Sequence, residues 1–307
     1  MDRLHRDEVP ISRALAARLL SEQHPDLARL PLSLLEAQGT DNVVFRLGDD
    51  LALRLPRTAS AVPGLLVELD WVPRLAPELP LPVPVPIARG EPTEGYPFPW
   101  SVCRWVDGRP ADPTRLRPDQ LAQRLGGFVG RLQSIDTTGA PVADDGTRRA
   151  GSLTTFDDET RGAIAEVTAL MSARRIESDL FDPARARDLW EAALGTPAWP
   201  GDGVWVHRDL HADNLVMADG MLVGVLDLGG LIVGDPAGDV MAAWHLLQPP
   251  HRATFLRIVE ADEATQLRAR GWVLSQGLLA LPYYLDSHAG MRRMACRAIR
   301  AALDPPV

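Results

Sequence analysis

The spacing of apolar positions changes character twice along the chain. Ile11, Leu15 and Leu19 share one helical face behind Ser12, a capping residue type, which predicts a short opening helix. Leu32–Ala37, Val43–Leu47 and Leu51–Leu55 then follow as short apolar runs. The polar turns Gly39-Thr40-Asp41-Asn42 and Gly48-Asp49-Asp50 separate them, which predicts an antiparallel meander. Helical spacing returns over 59–75 with Leu65, Leu66, Leu69 and Val72, and Pro73 with Pro77 is expected to close that helix. The stretch LPLPVPVPIARG alternates proline with apolar residues, so it runs extended toward a strand at Ile87. Phe98–Val106 reads as a further strand and Asp107-Gly108-Arg109-Pro110 as a turn.

Beyond that turn the pattern is mostly helical, with segments at Pro118–Ser134, Phe156–Met171, Pro183–Leu194, Pro236–Leu247, Ala264–Leu285 and Met291–Leu303. Three short apolar runs interrupt it, Val204–Val206, Leu215–Met217 and Leu222–Leu226, with polar loops between them. Residues 137–151 are polar and Gly-containing and read as a loop, in which Arg148 and Arg149 are taken as solvated charge rather than as part of a phosphorylation site. The expected fold class is α+β and bilobal, with an antiparallel-sheet lobe over 1–106 and a helical lobe over 107–307.

Composition narrows the function. A chain of 307 residues with 46% hydrophobic content can bury a core in each of two lobes. Its apolar runs are broken well short of the roughly 18 residues that a membrane span needs. The opening residues lack an apolar leader with a small-residue cleavage site, so no export is expected. Cys103 and Cys296 are too few for a disulfide framework or a zinc site, which fits a cytoplasmic location. The net charge of −9 argues against nucleic-acid binding and favours a cationic partner. All 32 basic residues are Arg, a compositional bias that bears on one position below.

The chemistry concentrates in VWVHRDLHADNLVM. His207-Arg208-Asp209 is followed at the kinase catalytic-loop interval by Asn214, and GVLDLGG then brings Asp227 after a strand. Phosphoryl transfer asks a protein mainly to orient a hydroxyl and to offset phosphate charge. In that scheme Asp209 accepts the hydroxyl proton, while Asn214 and Asp227 supply hard oxygen ligands to Mg²⁺. His207 is expected to be structural.

With these residues in view, the chain resembles the aminoglycoside phosphotransferase family of antibiotic and small-metabolite kinases, which share the protein-kinase-like fold. GTDNVVFRLGDDLALRLPR is similar to that family's phosphate-binding hairpin, VHRDLHADNLVM to its catalytic loop, and VLDLGGLIVGDPAGDVMAAW to its metal-binding strand and the helix after it. The resemblance implies Mg²⁺ and ATP or GTP as phosphoryl donor. It implies Asp209 as base, Asn214 and Asp227 as metal ligands, and for Asp239 the buried carboxylate that holds the catalytic loop by its backbone N–H groups, beside the plainer reading of a first-turn helix acid.

In the first lobe the family uses a strand Lys, paired with a helix Glu, to hold the α- and β-phosphates. This chain has Arg54, with Glu68 as its partner, a departure that changes donor geometry and that the absence of Lys explains as compositional drift. Gly39, Thr40 and Asn42 of the hairpin loop are expected at the phosphates, and the backbone from Val102 through Arg104 at the purine edge. No activation loop fits between Asp227 and Asp235, so the acceptor is a small molecule, not a protein. Acidic residues of the helical lobe (Asp157, Asp158, Glu159, Glu260, Asp262, Glu263, Asp286) and the aromatics Trp244, Trp272, Tyr283 and Tyr284 favour a cationic, hydroxylated acceptor such as an aminoglycoside. Macrolides, amino alcohols, homoserine-like metabolites and sugars are the alternatives, and a nucleotide-binding module without catalysis is the competing class.

Overall fold

A computed structural model of the chain describes residues 8–35, 41–111 and 117–304. They divide into two compact units. The first is built from the chain up to Arg109 with Leu215–Ala218 and Val223–Leu231, and the second from Pro110–Asn214, Asp219–Leu222 and Ile232 onward.

The first unit opens with helix α1 (Arg13–Gln23), whose cap is Ser12: its Oγ accepts the Leu15 N–H at 3.1 Å. A five-stranded antiparallel sheet follows, made of β1 (Leu32–Leu34), β2 (Asn42–Leu47), β3 (Leu51–Pro56), β4 (Pro86–Gly90) and β5 (Trp100–Arg104). Its spatial order is β1-β2-β3-β5-β4. Val43, Phe45 and Leu47 alternate with half-buried Val44 and Arg46, and they stand opposite Leu55, Leu53 and Leu51. That two-residue period puts one face of β2 into the core with Leu19, Leu20, Tyr96 and Trp100. The proline-bearing strand β4 lies at the sheet edge, where a residue without an N–H costs no ladder bond. The expected end of the first strand, residues 36–37, lies outside the described residues.

Helix α2 (Val62–Leu75) presents Leu65, Glu68, Val72 and Leu75 as its buried stripe, so a carboxylate sits at a core position. The helix runs through Pro73 and gives way to a 3₁₀ turn, Ala76–Glu78, that contains Pro77. Its end at Leu75 is the one expected, with Pro73 two residues from the end and Pro77 in the turn beyond.

The second unit is helical. In it β7 (Val204–Val206) pairs antiparallel with β10 (Ile232–Gly234); three further short strands are β6 (Arg109–Pro110), β8 (Leu215–Ala218) and β9 (Met221–Val225). Helices α3 (Pro118–Gln133), α4 (Asp157–Ser172) and α5 (Pro183–Leu194) match their expected spans closely. The predicted helix 236–247 is two pieces, α6 (Ala237–Val240) and α7 (Ala242–Leu246), where the Trp244 N–H tightens onto the Met241 carbonyl three residues back. Helix α8 (Pro249–Ile258) escaped the apolar pattern because one of its core positions is Arg252. That guanidinium is 1% exposed and bonds the carbonyls of Ala243 and Leu247. Helix α9 (Glu263–Tyr284) packs against α4, α5 and α10 (Ala289–Leu303) and carries the fully buried Trp272 and Leu278. Among the described residues no helix is long and apolar enough to cross a membrane.

Gly90 lies so close to Trp100 that a Cβ there would fall inside the indole ring. Gly90→Ala is therefore expected to cost about 1–3 kcal/mol through overpacking, read as a lower urea midpoint at unchanged m-value; an unchanged midpoint contradicts this packing.

Candidate active site

In the second unit, β7 delivers the chain into His207 with Val206 opposite Ile232 of β10. His207 and Asp239 are both 0% exposed. The Asp239 carboxylate accepts the His207 N–H on Oδ2 and the Arg208 N–H on Oδ1, each at 2.8 Å. Burial drives the pKa of Asp239 up, and the His207 charge and the two N–H bonds act against that rise. Arg208 takes a left-handed φ of 68°, and the chain doubles back so that the Asp209 N–H reaches His207 Nδ1 at 3.3 Å. The loop closes in a 3₁₀ turn, Ala212–Asn214. There Asn214 Nδ2 donates to the Asp209 carbonyl at 2.9 Å and to Asp209 Oδ2 at 3.1 Å. Both N–H groups of the amide are then spent, and its oxygen is left as an acceptor.

The Asp209 carboxylate has two partners that local pattern reading missed. Arg149 Nη1 donates to Oδ1 at 2.7 Å, and His211 Nε2 lies 3.2 Å from Oδ2. Because His211 Nδ1 accepts the Asp213 N–H at 3.3 Å, Nε2 is the protonated nitrogen that donates. Burial alone would raise the pKa of Asp209. The His211 hydrogen bond and the Arg149 charge outweigh it and hold the carboxyl well below the usual range. His211 moves the opposite way: burial favours the neutral ring, but the bond and charge of Asp209 win and raise its pKa. Arg149 comes from the loop read as solvated, and there the structure corrects the expectation. Arg148 does behave as a surface charge, pairing with Glu159 and covering the Phe156 ring at 4.2 Å.

In the first unit, Arg54 on β3 meets the buried carboxylate of α2: its Nη1 is 2.6 Å from Glu68 Oε2, with side chains 12% and 3% exposed. The other oxygen, Glu68 Oε1, accepts the Leu228 N–H at 3.0 Å. Asp227, with a left-handed φ of 58° and a half-exposed side chain, places Oδ1 at 4.0 Å from Arg54 Nη2. Burial opposes a charged Arg54, but Glu68 and Asp227 overcome it and keep the guanidinium protonated. A buried pair fully hydrogen-bonded in this way holds its geometry, whereas one stripped of a partner costs about 3–5 kcal/mol.

Other expected residues fare differently. Gly39 and Thr40 lie outside the described residues, and Asn42 opens β2 opposite Pro56. Val102 sits in the middle of β5 with β3 on one side and β4 on the other, and the Arg104 and Trp105 N–H groups bond the carbonyls of Val85 and Asp50. The Arg104 N–H is therefore already engaged. Trp244 and Trp272 are core residues, 5% and 2% exposed. Asp157, Asp286 and Asp262 are engaged by Arg161, by Arg175 and by the capping of α9 respectively.

Comparison with known proteins decides the family. A model of the phosphotransferase enzyme family (APH) matches residues 35–272, which is most of the chain and includes both clusters. The chain belongs to the APH phosphotransferase enzyme family. Two curated relatives from Escherichia coli, each named aminoglycoside 3′-phosphotransferase, align with it. One is 27% identical over 66% of this chain and 70% of the relative, and the other is 23% identical over 42% of this chain and 44% of the relative, so the second match spans less than half of that protein. The GDP and kanamycin complex of APH(2″)-IIia covers 94% of this chain and 97% of its own at 15% identity, with a TM-score of 0.67. Macrolide 2′-phosphotransferase MphH from Brachybacterium faecium covers 95% and 98% at 24% identity, with a TM-score of 0.59. These likenesses establish the bilobal kinase-like α+β fold.

This APH-family chain has a small pocket beside Asp209 within its second unit, lined by Arg149, Asp209 and His211 together with Arg208 and His245. The pKa of His245 is pushed down to about 4 by burial and by the charges of Arg149 and His211.

Two outcomes follow from the Asp239 and Asp209 clusters. Asp239→Asn turns one carboxylate oxygen into an N–H₂ that faces a backbone donor, so it is expected to destabilise the fold by about 1–3 kcal/mol in urea unfolding. The His211 imidazole, followed by NMR, is expected to titrate above the ordinary value of about 6.5 and to fall back in Asp209→Asn. A raised folded pKa contributes stability that is fully present below about pH 6.5 and is lost as pH rises through the folded value. A His211 midpoint unchanged by Asp209→Asn contradicts the pairing.

Proposed function

We propose that the chain transfers the γ-phosphoryl group of ATP or GTP to a hydroxyl of a small molecule. The observation that carries this reading is the convergence of the Asp209 carboxylate and the Asn214 amide in one loop anchored by Asp239, in a chain of phosphotransferase family. Asp209 is the base: the acceptor hydroxyl gives it a proton as the hydroxyl oxygen bonds to the γ-phosphorus. The bond from the γ-phosphorus to the β,γ-bridging oxygen breaks, and its electron pair leaves with the nucleoside diphosphate.

Asn214 and Asp227 are the proposed Mg²⁺ ligands. The donor set fits that ion: an amide oxygen not used by Asp209 and a half-exposed carboxylate are hard oxygens, and Mg²⁺ takes few protein ligands, with phosphate and water filling the rest. When bound, Mg²⁺ offsets phosphate charge. Arg54, held by Glu68, is the proposed partner of the α- and β-phosphates, with the fork of Arg in place of the point charge of Lys. Gly39, Thr40 and Asn42 are proposed at the phosphates. The backbone from Val102 through Arg104 is proposed at the purine edge, with the Val106 N–H, which has no partner among the described residues, as a further contact.

The printed names of the relatives put aminoglycosides, then macrolides, first in an acceptor panel. With an accepted substrate, Asp209→Asn is expected to lower kcat by about 10²–10⁴-fold, with the dissociation constant for Mg²⁺·nucleotide unchanged by calorimetry. Undiminished transfer in that variant contradicts the assignment of Asp209.

A further inference from the structure

The pocket beside Asp209 does not share the acidity of the chain as a whole. Against the single carboxylate of Asp209 its lining sets the guanidiniums of Arg149 and Arg208, beside the imidazoles of His211 and His245, and the rest of the wall is largely apolar. The acids nearest to these groups face elsewhere. Asp239 is turned to the backbone of His207 and Arg208. Asp213, 3.7 Å from His211 Nδ1, has a side chain 82% exposed, and Glu159 is taken by Arg148; none of the three lines the pocket. Arg208 reaches the Arg148 carbonyl at 3.4 Å.

Arg149 is built into place. Its φ is left-handed at 63°, and its carbonyl oxygen occupies the space that a Cβ on Gly238 would need, so the loop is pinned on α6 with its guanidinium over Asp209 Oδ1. In this arrangement Asp209 is a constrained base. Oδ1 is bonded by Arg149, and Oδ2 by His211 and Asn214.

We infer, building on the phosphotransferase reading, that the acceptor carries an anionic oxyacid group, a carboxylate or a phosphate, next to the hydroxyl that is phosphorylated, and that Arg149 binds that group. A guanidinium presents several donors in a planar fork suited to such an anion. As Arg149 turns from Asp209 Oδ1 to the acceptor, Oδ1 is released to take the hydroxyl proton. Recognition of the acid and availability of the base are then one event. A polycation meets the guanidiniums of Arg149 and Arg208 as a barrier, and nothing in the pocket replaces the Arg149 contact.

The test is a titration of the full chain, with Mg²⁺·nucleotide present, by D-glycerate, glycerol 3-phosphate, glycerol and kanamycin, followed through the His211 imidazole resonances. At least one of the two anions is expected to bind tenfold or more tightly than glycerol and kanamycin, and comparing the two identifies carboxylate or phosphate as the group read. Arg149→Gln is expected to weaken the preferred anion about ten- to a hundred-fold, the worth of a charge-assisted hydrogen-bonded contact. Arg149→Lys should retain part of the affinity, and Arg175→Gln, outside the pocket lining, should retain all of it. Thermal melting checks that each variant is folded. Kanamycin or glycerol binding as tightly as both anions, no response to either anion up to tens of millimolar, or Arg149→Gln binding like the unaltered chain overturns the inference. Nucleotide binding, measured calorimetrically on the same samples, reports separately. If nucleotide binds and the anion preference is absent, this inference alone fails; if no nucleotide binds, the phosphotransferase reading fails.

Discussion

Two hydrogen bonds to one buried carboxylate hold the chemistry of this chain in place. Asp239 has no exposure and spends both oxygens on the successive N–H groups of His207 and Arg208. A left-handed turn at a non-glycine residue costs about 1–2 kcal/mol. Two hydrogen bonds to a charged acceptor, at about 1.5–3 kcal/mol each, more than offset it. The strained turn at Arg208 is therefore affordable, and it brings Asp209 and Asn214 to the same place. His207 serves that turn from within the core, accepting the Asp209 N–H on its ring.

Charge arrangement then gives each carboxylate a separate task. Glu68 is buried, bonded on both oxygens and paired with Arg54, so it fixes a guanidinium on β3. Asp227, the proposed metal ligand, stays half exposed at the edge of that pair. Asp209 is ionised and triply held, and its bond from Arg149 ties the proposed base to a loop far away in sequence. Replacement of the usual Lys by Arg leaves the ion pair with α2 intact, so the departure changes donor shape more than charge.

Much of the fold was legible because its elements follow simple periods. The alternation of Val43, Phe45 and Leu47 marks β2, and the helices α3 and α5 show plain apolar spacing. Where the pattern failed, a polar residue occupied a core position, as Arg252 does in α8, or the element was three residues long and defined only by its partner, as β10 is. At the site, the contiguous loop from His207 to Asn214 and the pairing of Arg54 with Glu68 could be read because each depends on local spacing or on neighbouring elements. Arg149 could not, since its role arises only when a Gly- and Asp-rich loop is pressed against Gly238. His211 was visible inside the loop but carried no signal apart from its closeness to Asp209. Around Val102 and Arg104, strand register, not residue type, decides which backbone groups remain available.

The claim on which the rest stands is that Asp239 holds the His207 and Arg208 amides as part of the folded core. Residue-resolved hydrogen exchange measures this directly. The account predicts that these two amides exchange only with global unfolding, in the slowest class of the second unit and together with the core of α9. Exchange at the rate of exposed loop amides would contradict it.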